Sequence, residues 1–157
     1  MATENKSEFS LVEKAAIHYR YCQIYAEYYK QSLDYGTGET YSSAELQSVL
    51  QIYTTPGITI TEIARYGART KSAVSQIMTR LENRGLIVRQ KTMQRGVGLF
   101  VSDKGRELCE AYEQFVEKHL SNILADCEAR FGKEAMDTFY EIMHSAINAV
   151  VNSNNQD

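Results

Sequence analysis

Proline occurs once in the 157 residues, at Pro56, so no proline-rich linker is read, and no internal repeat or low-complexity segment is found along the chain. No apolar run approaches the roughly 20 residues that a membrane-spanning helix needs, and no membrane partner is expected. The opening MATENKSEFS lacks a basic-then-apolar layout, so no secretory signal is read and a cytoplasmic protein is expected. Cysteine is scarce and widely spaced: Cys22, Cys109 and Cys127, with no CxxC pair. That argues against a zinc knuckle or a dithiol redox motif. In a reducing compartment the three are expected to be buried thiols acting as small hydrophobes. The three histidines are scattered on apolar helical stretches. No Ser/His/Asp grouping, phosphate-cradling loop or carboxylate pair stands out, so neither an enzyme nor a cofactor is expected.

What is present is an ordinary soluble composition, 43% hydrophobic and 24% charged, in a length that suits one domain or a small domain with helical extensions. The net charge of −3 argues against a polyanion partner until its distribution is considered. From Thr61 to Arg106 ten Lys/Arg face three acids, Glu62, Glu82 and Asp103, for a local net of +7. The rest, seven basic and seventeen acidic residues, carries −10. A basic centre between acidic flanks fits a nucleic-acid module on a helper scaffold, although basic residues also cluster on solvated faces.

Apolar periodicity predicts a first helix from Leu11 to about Leu33, ending at Asp34-Tyr35-Gly36-Thr37-Gly38. Ser42 and Glu45 form a capping box for a second helix with Leu46, Val49, Leu50 and Tyr53 on one face, closed by Thr54-Thr55-Pro56-Gly57. Thr59 and Glu62 cap a short third helix. Thr70 caps a fourth, running to Asn83-Arg84 with Gly85 at its end and Val74, Ile77, Met78 and Leu81 as the buried stripe. The period then changes. Leu86–Lys91 and Gly98–Val101 read as two strands of a hairpin. Ser102 restarts a helix that reaches Ala129, and after Phe131-Gly132 a last helix spans about Lys133 to Val151. The fold class is therefore mainly α with a small β-hairpin wing, a winged helix-turn-helix flanked by N- and C-terminal helices. The expected organisation is an N-terminal dimerisation helix and loop (1–41), a DNA-binding lobe (42–105), C-terminal linking and dimerisation helices (102–152) and a tail (153–157).

The fourth helix presents Lys71, Ser72, Ser75, Gln76, Thr79 and Arg80 opposite its buried stripe. All are hydrogen-bonding and none is acidic, which suits the major groove of double-stranded DNA. Gln76 matches adenine and Arg80 guanine, while Thr70 and Ser72 near the helix N-terminus match phosphate. Arg95, on a glycine-flanked hairpin tip, matches a narrow minor groove, and Arg89 and Lys91 match flanking phosphates. Taken singly, each is also an ordinary solvated side chain.

These residues resemble the MarR family of bacterial regulators. The carriers are Thr59-Ile60-Thr61-Glu62-Ile63-Ala64, Thr70 through Val74-Ser75, Leu81-Glu82-Asn83-Arg84-Gly85-Leu86-Ile87, Arg95, and Val101-Ser102-Asp103-Lys104-Gly105. The sequence departs from the family in two places. Met93 stands where an acid, two residues before the wing arginine, is expected to brace the wing. Gly67-Ala68-Arg69 replaces an apolar-Gly-apolar turn, which makes Arg69 a phosphate-contact candidate. The resemblance implies a homodimer built by the terminal helices, an agreement with their wide apolar stripes. It also implies a ligand pocket between those helices and the lobe. Tyr19, Cys22, Tyr25 and Tyr29 are the candidates there for a small aromatic effector, against a plain reading as aromatic core or interface.

Three alternatives stay open beside a ligand-responsive repressor on a near-palindromic operator. One is a winged-helix adaptor that binds protein rather than specific DNA. The second is a metal-sensing variant using His18 and Cys22, spaced i and i+4, with a third ligand such as His119. The third is a thiol sensor at Cys22.

Overall fold

The structure is a computed structural model that describes residues 9–28, 30–67, 69–93 and 96–153. Helix α1 (Leu11–Tyr28) is followed by a short hairpin of β1 (Leu33–Asp34) and β2 (Thr40–Tyr41), then α2 (Ser43–Thr54), α3 (Ile60–Tyr66) and α4 (Lys71–Asn83). The antiparallel wing strands β3 (Ile87–Thr92) and β4 (Gly96–Val101) come next, then α5 (Asp103–Phe131) and α6 (Lys133–Ser153).

The caps lie where the sequence places them. Ser42 Oγ accepts the Glu45 amide while the Glu45 carboxylate accepts the Ser42 amide, and Thr59 with Glu62 repeats the arrangement at α3. Thr70 caps α4 through the Ala73 amide, and Ser102 caps α5 through the Gly105 amide. Gly85 follows α4 with φ +74° and Gly132 separates α5 from α6 with φ +85°, left-handed conformations that a side chain resists.

Three expectations are corrected. The first helix stops at Tyr28 instead of about Leu33, because Leu33 and Asp34 pair with Tyr41 and Thr40. The Asp34 carboxylate accepts the amides of Gly36, Thr37 and Gly38 at 2.8, 2.9 and 3.1 Å, and this local bonding competes with helix. The second helix buries Ile52 and leaves Tyr53 41% exposed, since the 46–49–52 row faces the core. Finally, only Cys109 is buried; Cys127 is half-buried and Cys22 exposed. Cys22 stands on a helix whose described side chains, residues 11–27, are all exposed.

That exposure follows from where the core sits. The buried apolar residues run from Tyr35 and Tyr41 through α2, α3, α4 and the wing to Leu108 and Cys109, with Tyr112 and Phe115 packed at the margin. Among the described residues, α1, α6 and the remainder of α5 contribute none to that buried set. The wing is tied to the lobe at Ile58, which bridges to Leu99, with Gly57 N donating to Leu99 O at 2.8 Å and Leu99 N to Ile58 O at 2.9 Å. Gly98 is the close approach that permits this, since a β-carbon there would lie 2.8 Å from the Gly57 carbonyl oxygen.

Candidate nucleic-acid interface

Helix α4 is amphipathic in the way its sequence requires. Val74, Ile77, Met78 and Leu81 are buried, and Lys71, Ser72, Gln76, Thr79 and Arg80 are exposed on the other side, with Ser75 half-buried. Thr70 and Ser72 share a hydrogen bond at 3.1 Å at the helix start, and Thr79 donates to the Ser75 carbonyl at 3.0 Å. Arg69 is exposed just ahead of the cap, its amide donating to the Ala64 carbonyl at 2.9 Å. The first four amides of any helix lack intrahelical partners, so this end favours an anionic oxygen. The only acid of α4, Glu82, is in its last turn and turns to the wing, where it pairs with Arg89 at 2.9 Å.

On the wing, Arg89 and Lys91 are exposed strand residues. Met93 is fully exposed; where an acid was expected as a brace, this chain has a solvated thioether, and Glu82–Arg89 joins helix to wing instead. Arg95 lies outside the described residues. The structure thus gathers Arg69, Thr70, Lys71, Ser72, Ser75, Gln76, Thr79 and Arg80 on α4 and its lead-in, with Arg89 and Lys91 on the adjoining hairpin.

Behind α4 is an ionic cluster that sequence reasoning missed. Arg84 donates to Glu39 at 2.9 Å, to the Thr40 carbonyl at 3.1 Å and to Glu45 at 3.4 Å, and its guanidinium lies 4.2 Å from the Tyr41 ring centre. Lys104 donates to Glu39 at 2.6 Å and to the Arg84 carbonyl at 3.2 Å. The hydrogen bond from Lys104, then that from Arg84, lowers the Glu39 carboxyl from 4.5 to about 2. Burial pushes Glu45 up, but hydrogen bonds from Ser42 and the charges of Arg84 and Arg80 leave it below its ordinary value. The pairs span 39 to 65 residues of chain, and no local pattern announces them.

The effector candidates are on α1. Tyr19 is 66% exposed and Tyr25 37% exposed, the Tyr25 ring lies tilted by 37° against Tyr21 at 4.4 Å between ring centres, and Cys22 is 3.7 Å from the His18 ring nitrogen Nε2. Tyr29 lies outside the described residues. A groove of about 1020 Å³ lies elsewhere, between α2, α3 and the end of α6, lined by Leu50, Ile58, Arg65, Tyr66, Ile147 and Val151 among others. His119 is remote from His18 in sequence and stacks on Phe115. Among the described residues no three His, Cys, Asp or Glu are grouped to hold a metal ion, and no helix is long and apolar enough to cross a membrane.

Residues 42–94 match the sequence model of the MarR family. No curated protein matches the sequence. Solved structures share the fold. The FabT protein of Streptococcus pneumoniae in complex with DNA has a TM-score of 0.65 at 18% identity, covering 85% of this chain and 99% of that one. ZitR of Lactococcus lactis, a zinc-responsive MarR family member, has a TM-score of 0.58 at 16% identity, covering 90% and 99%. The PcaV transcriptional regulator of Streptomyces coelicolor, in complex with its natural ligand, has a TM-score of 0.53 at 14% identity, covering 96% and 99%. Residues 42–94 thus match the MarR family model, and the chain as a whole shares the winged helix-turn-helix fold of these solved structures.

Proposed function

We propose that this protein is a sequence-specific DNA-binding transcriptional regulator, a repressor that holds a near-palindromic operator as a homodimer. The observation that carries the reading is the outer face of α4. Lys71, Ser72, Gln76, Thr79 and Arg80 are exposed, polar and free of acids, above a stripe in which Val74 is 1% exposed and Met78 and Leu81 fully buried. A buried stripe fixes the helix; a non-acidic, hydrogen-bonding outer face suits base edges in the major groove. In this reading Gln76 pairs with adenine and Arg80 with guanine. Arg69, Thr70, Lys71 and Ser72 meet phosphate at the helix start, Ser75 and Thr79 fill the face, Arg89 and Lys91 lie along the flanking backbone, and Arg95 enters the minor groove. FabT, of the same fold, is seen in complex with DNA.

The dimer is supported by the apolar side chains that α1 and α6 leave in water, including Leu11 at 83%, Ile24 at 56% and Ile142 at 62% exposure. A second copy that covers them sets two α4 helices about 34 Å apart, one turn of DNA. Release by a small aromatic effector rests on Tyr19, Cys22 and Tyr25, exposed on α1, with Tyr29 next in sequence.

The test is selection from random duplex pools with purified protein over a salt series. The expected outcome is one enriched near-palindrome whose affinity falls on the order of 10³-fold between ~50 and ~200 mM salt. A flat salt response with no enriched site would instead mark a protein-binding adaptor.

A further inference from the structure

Two cations and two carboxylates meet at the end of α4. Arg84, the residue that closes the helix, faces Glu39 and Glu45, and Lys104, in the first turn of α5, faces Glu39. The charges balance, so Arg84 and Lys104 have little left to offer a phosphate. Their geometry serves another end. Lys104 also donates to the Arg84 carbonyl at 3.2 Å, placing a cation at the negative end of the α4 dipole. Glu39 is the shared member: one carboxylate oxygen takes Lys104 at 2.6 Å and the other Arg84 at 2.9 Å. It precedes β2, in the hairpin that directly follows α1. Through this side chain the arm leaving α1 is held to the end of α4 and the start of α5 at once.

We propose that Glu39 is a positioning residue for DNA discrimination: by tying the β1–β2 hairpin to the end of α4 and the start of α5, it fixes the tilt of α4 on α5 without itself touching DNA. The proposal rests on the reading of α4 as the recognition helix and of α5 as the link to the dimer. Base-edge contacts made by two α4 helices at once need a fixed tilt and spacing, whereas attraction to the phosphate backbone tolerates a change in either. Loss of Glu39 leaves one cation in excess, which favours any duplex. The two effects have opposite signs, and that separates positioning from simple stabilisation.

The experiment compares wild type, Glu39→Ala and Glu39→Gln, as full-length chains, on the selected operator and on a scrambled duplex of equal length, at one salt concentration well below the unfolding temperature. Glu39→Ala is expected to lose about tenfold in operator affinity while scrambled-duplex affinity holds or rises. Glu39→Gln, which keeps an acceptor, falls between. Lys104→Met supplies the second approach, and its combination with Glu39→Ala is expected to lower the operator-to-scrambled ratio no further than the worse single change. Parallel loss on both duplexes would reduce Glu39 to a stability role, and an unchanged ratio would remove it from discrimination. Were wild type to select no site, the recognition-helix reading would fail first and this inference with it.

Discussion

Glu82 in the last turn of α4 and Arg89 on β3 are joined Oε2 to Nε at 2.9 Å. Their side chains are 41% and 30% exposed, so the pair contributes only about 0–1 kcal/mol to stability. Its larger consequence is electrostatic. The only acid of α4 is spent on the wing, and Arg89 is partly neutralised before any phosphate arrives. Glu82→Gln is therefore expected to tighten binding to random duplex several-fold, the order of one gained cation. Lys91→Gln should lower the slope of log affinity against log salt by about 1, and Arg89→Gln by less. Equal slope changes for the two would mean that Arg89 contacts phosphate as fully as Lys91.

Every described side chain of residues 9–27 is exposed, and α1 adds nothing to the core. A charge placed there should leave the lobe folded while disrupting any partner interface. Ile24→Glu is expected to shift the protein from dimer to monomer in sedimentation and to weaken operator binding, with the near-native helical signal retained. A variant that sediments as wild type would take this face of α1 out of the dimer.

The lobe was legible in the sequence because its signals are local. The capping boxes Ser42/Glu45 and Thr59/Glu62, the cap Thr70, the stripe Val74-Ile77-Met78-Leu81 and the change of period after Gly85 each act within a few residues. The β1–β2 hairpin was not, since strands of two residues carry no alternation and their pairing depends on a side chain, Asp34, bonding to the loop. Arg84 and Lys104 stood out as family-like residues, but their shared partner Glu39 is a contact across 45 and 65 residues, beyond any periodicity. Cys22 departs from expectation for the opposite reason: the helical pattern around it is strong, but α1 adds nothing to the core formed by the described residues.

Glu39 should also register in acid. Its carboxyl is held at about 2 in the folded protein against an ordinary 4.5, by the hydrogen bonds from Lys104 and Arg84. A lowered pKa means that the folded state binds the proton less readily than the unfolded chain. The contribution is fully present above about pH 4.5 and drains away as pH falls toward 2. The urea midpoint of wild type is thus expected to approach that of Glu39→Gln across this window, and the gap between them to stay constant from pH 6 to 8. The group is exposed, so added salt should shrink the gap. A gap that persists unchanged at pH 2 would mean the pair with Lys104 contributes through something other than the ionised carboxylate.

The Lys104-Gly105 step has two separate physical causes, and the second predicts a mutation that breaks a usual rule. Within a helix, glycine to alanine ordinarily stabilises by about 1 kcal/mol. Gly105 is helical, yet its Cα faces the backbone of Leu86 so closely that an added β-carbon would overlap the Leu86 carbonyl oxygen, with the Val101 side chain 3.3 Å away. Leu86 is not free to retreat, since its amide donates to Leu81 at 2.9 Å and its carbonyl accepts from Ser102 at 3.0 Å. Gly105→Ala is therefore expected to destabilise by ~1–3 kcal/mol or more, read as a lower urea midpoint, because the overlap outweighs helix propensity. Gly85→Ala is the comparison. Its φ of +74° is unfavourable for alanine but its β-carbon would meet nothing within 4 Å, so a loss of about 1 kcal/mol is expected. A Gly105→Ala protein as stable as wild type would show that α5 can shift off the Leu86 backbone, and that a tight seat of α5 there is not what this glycine provides.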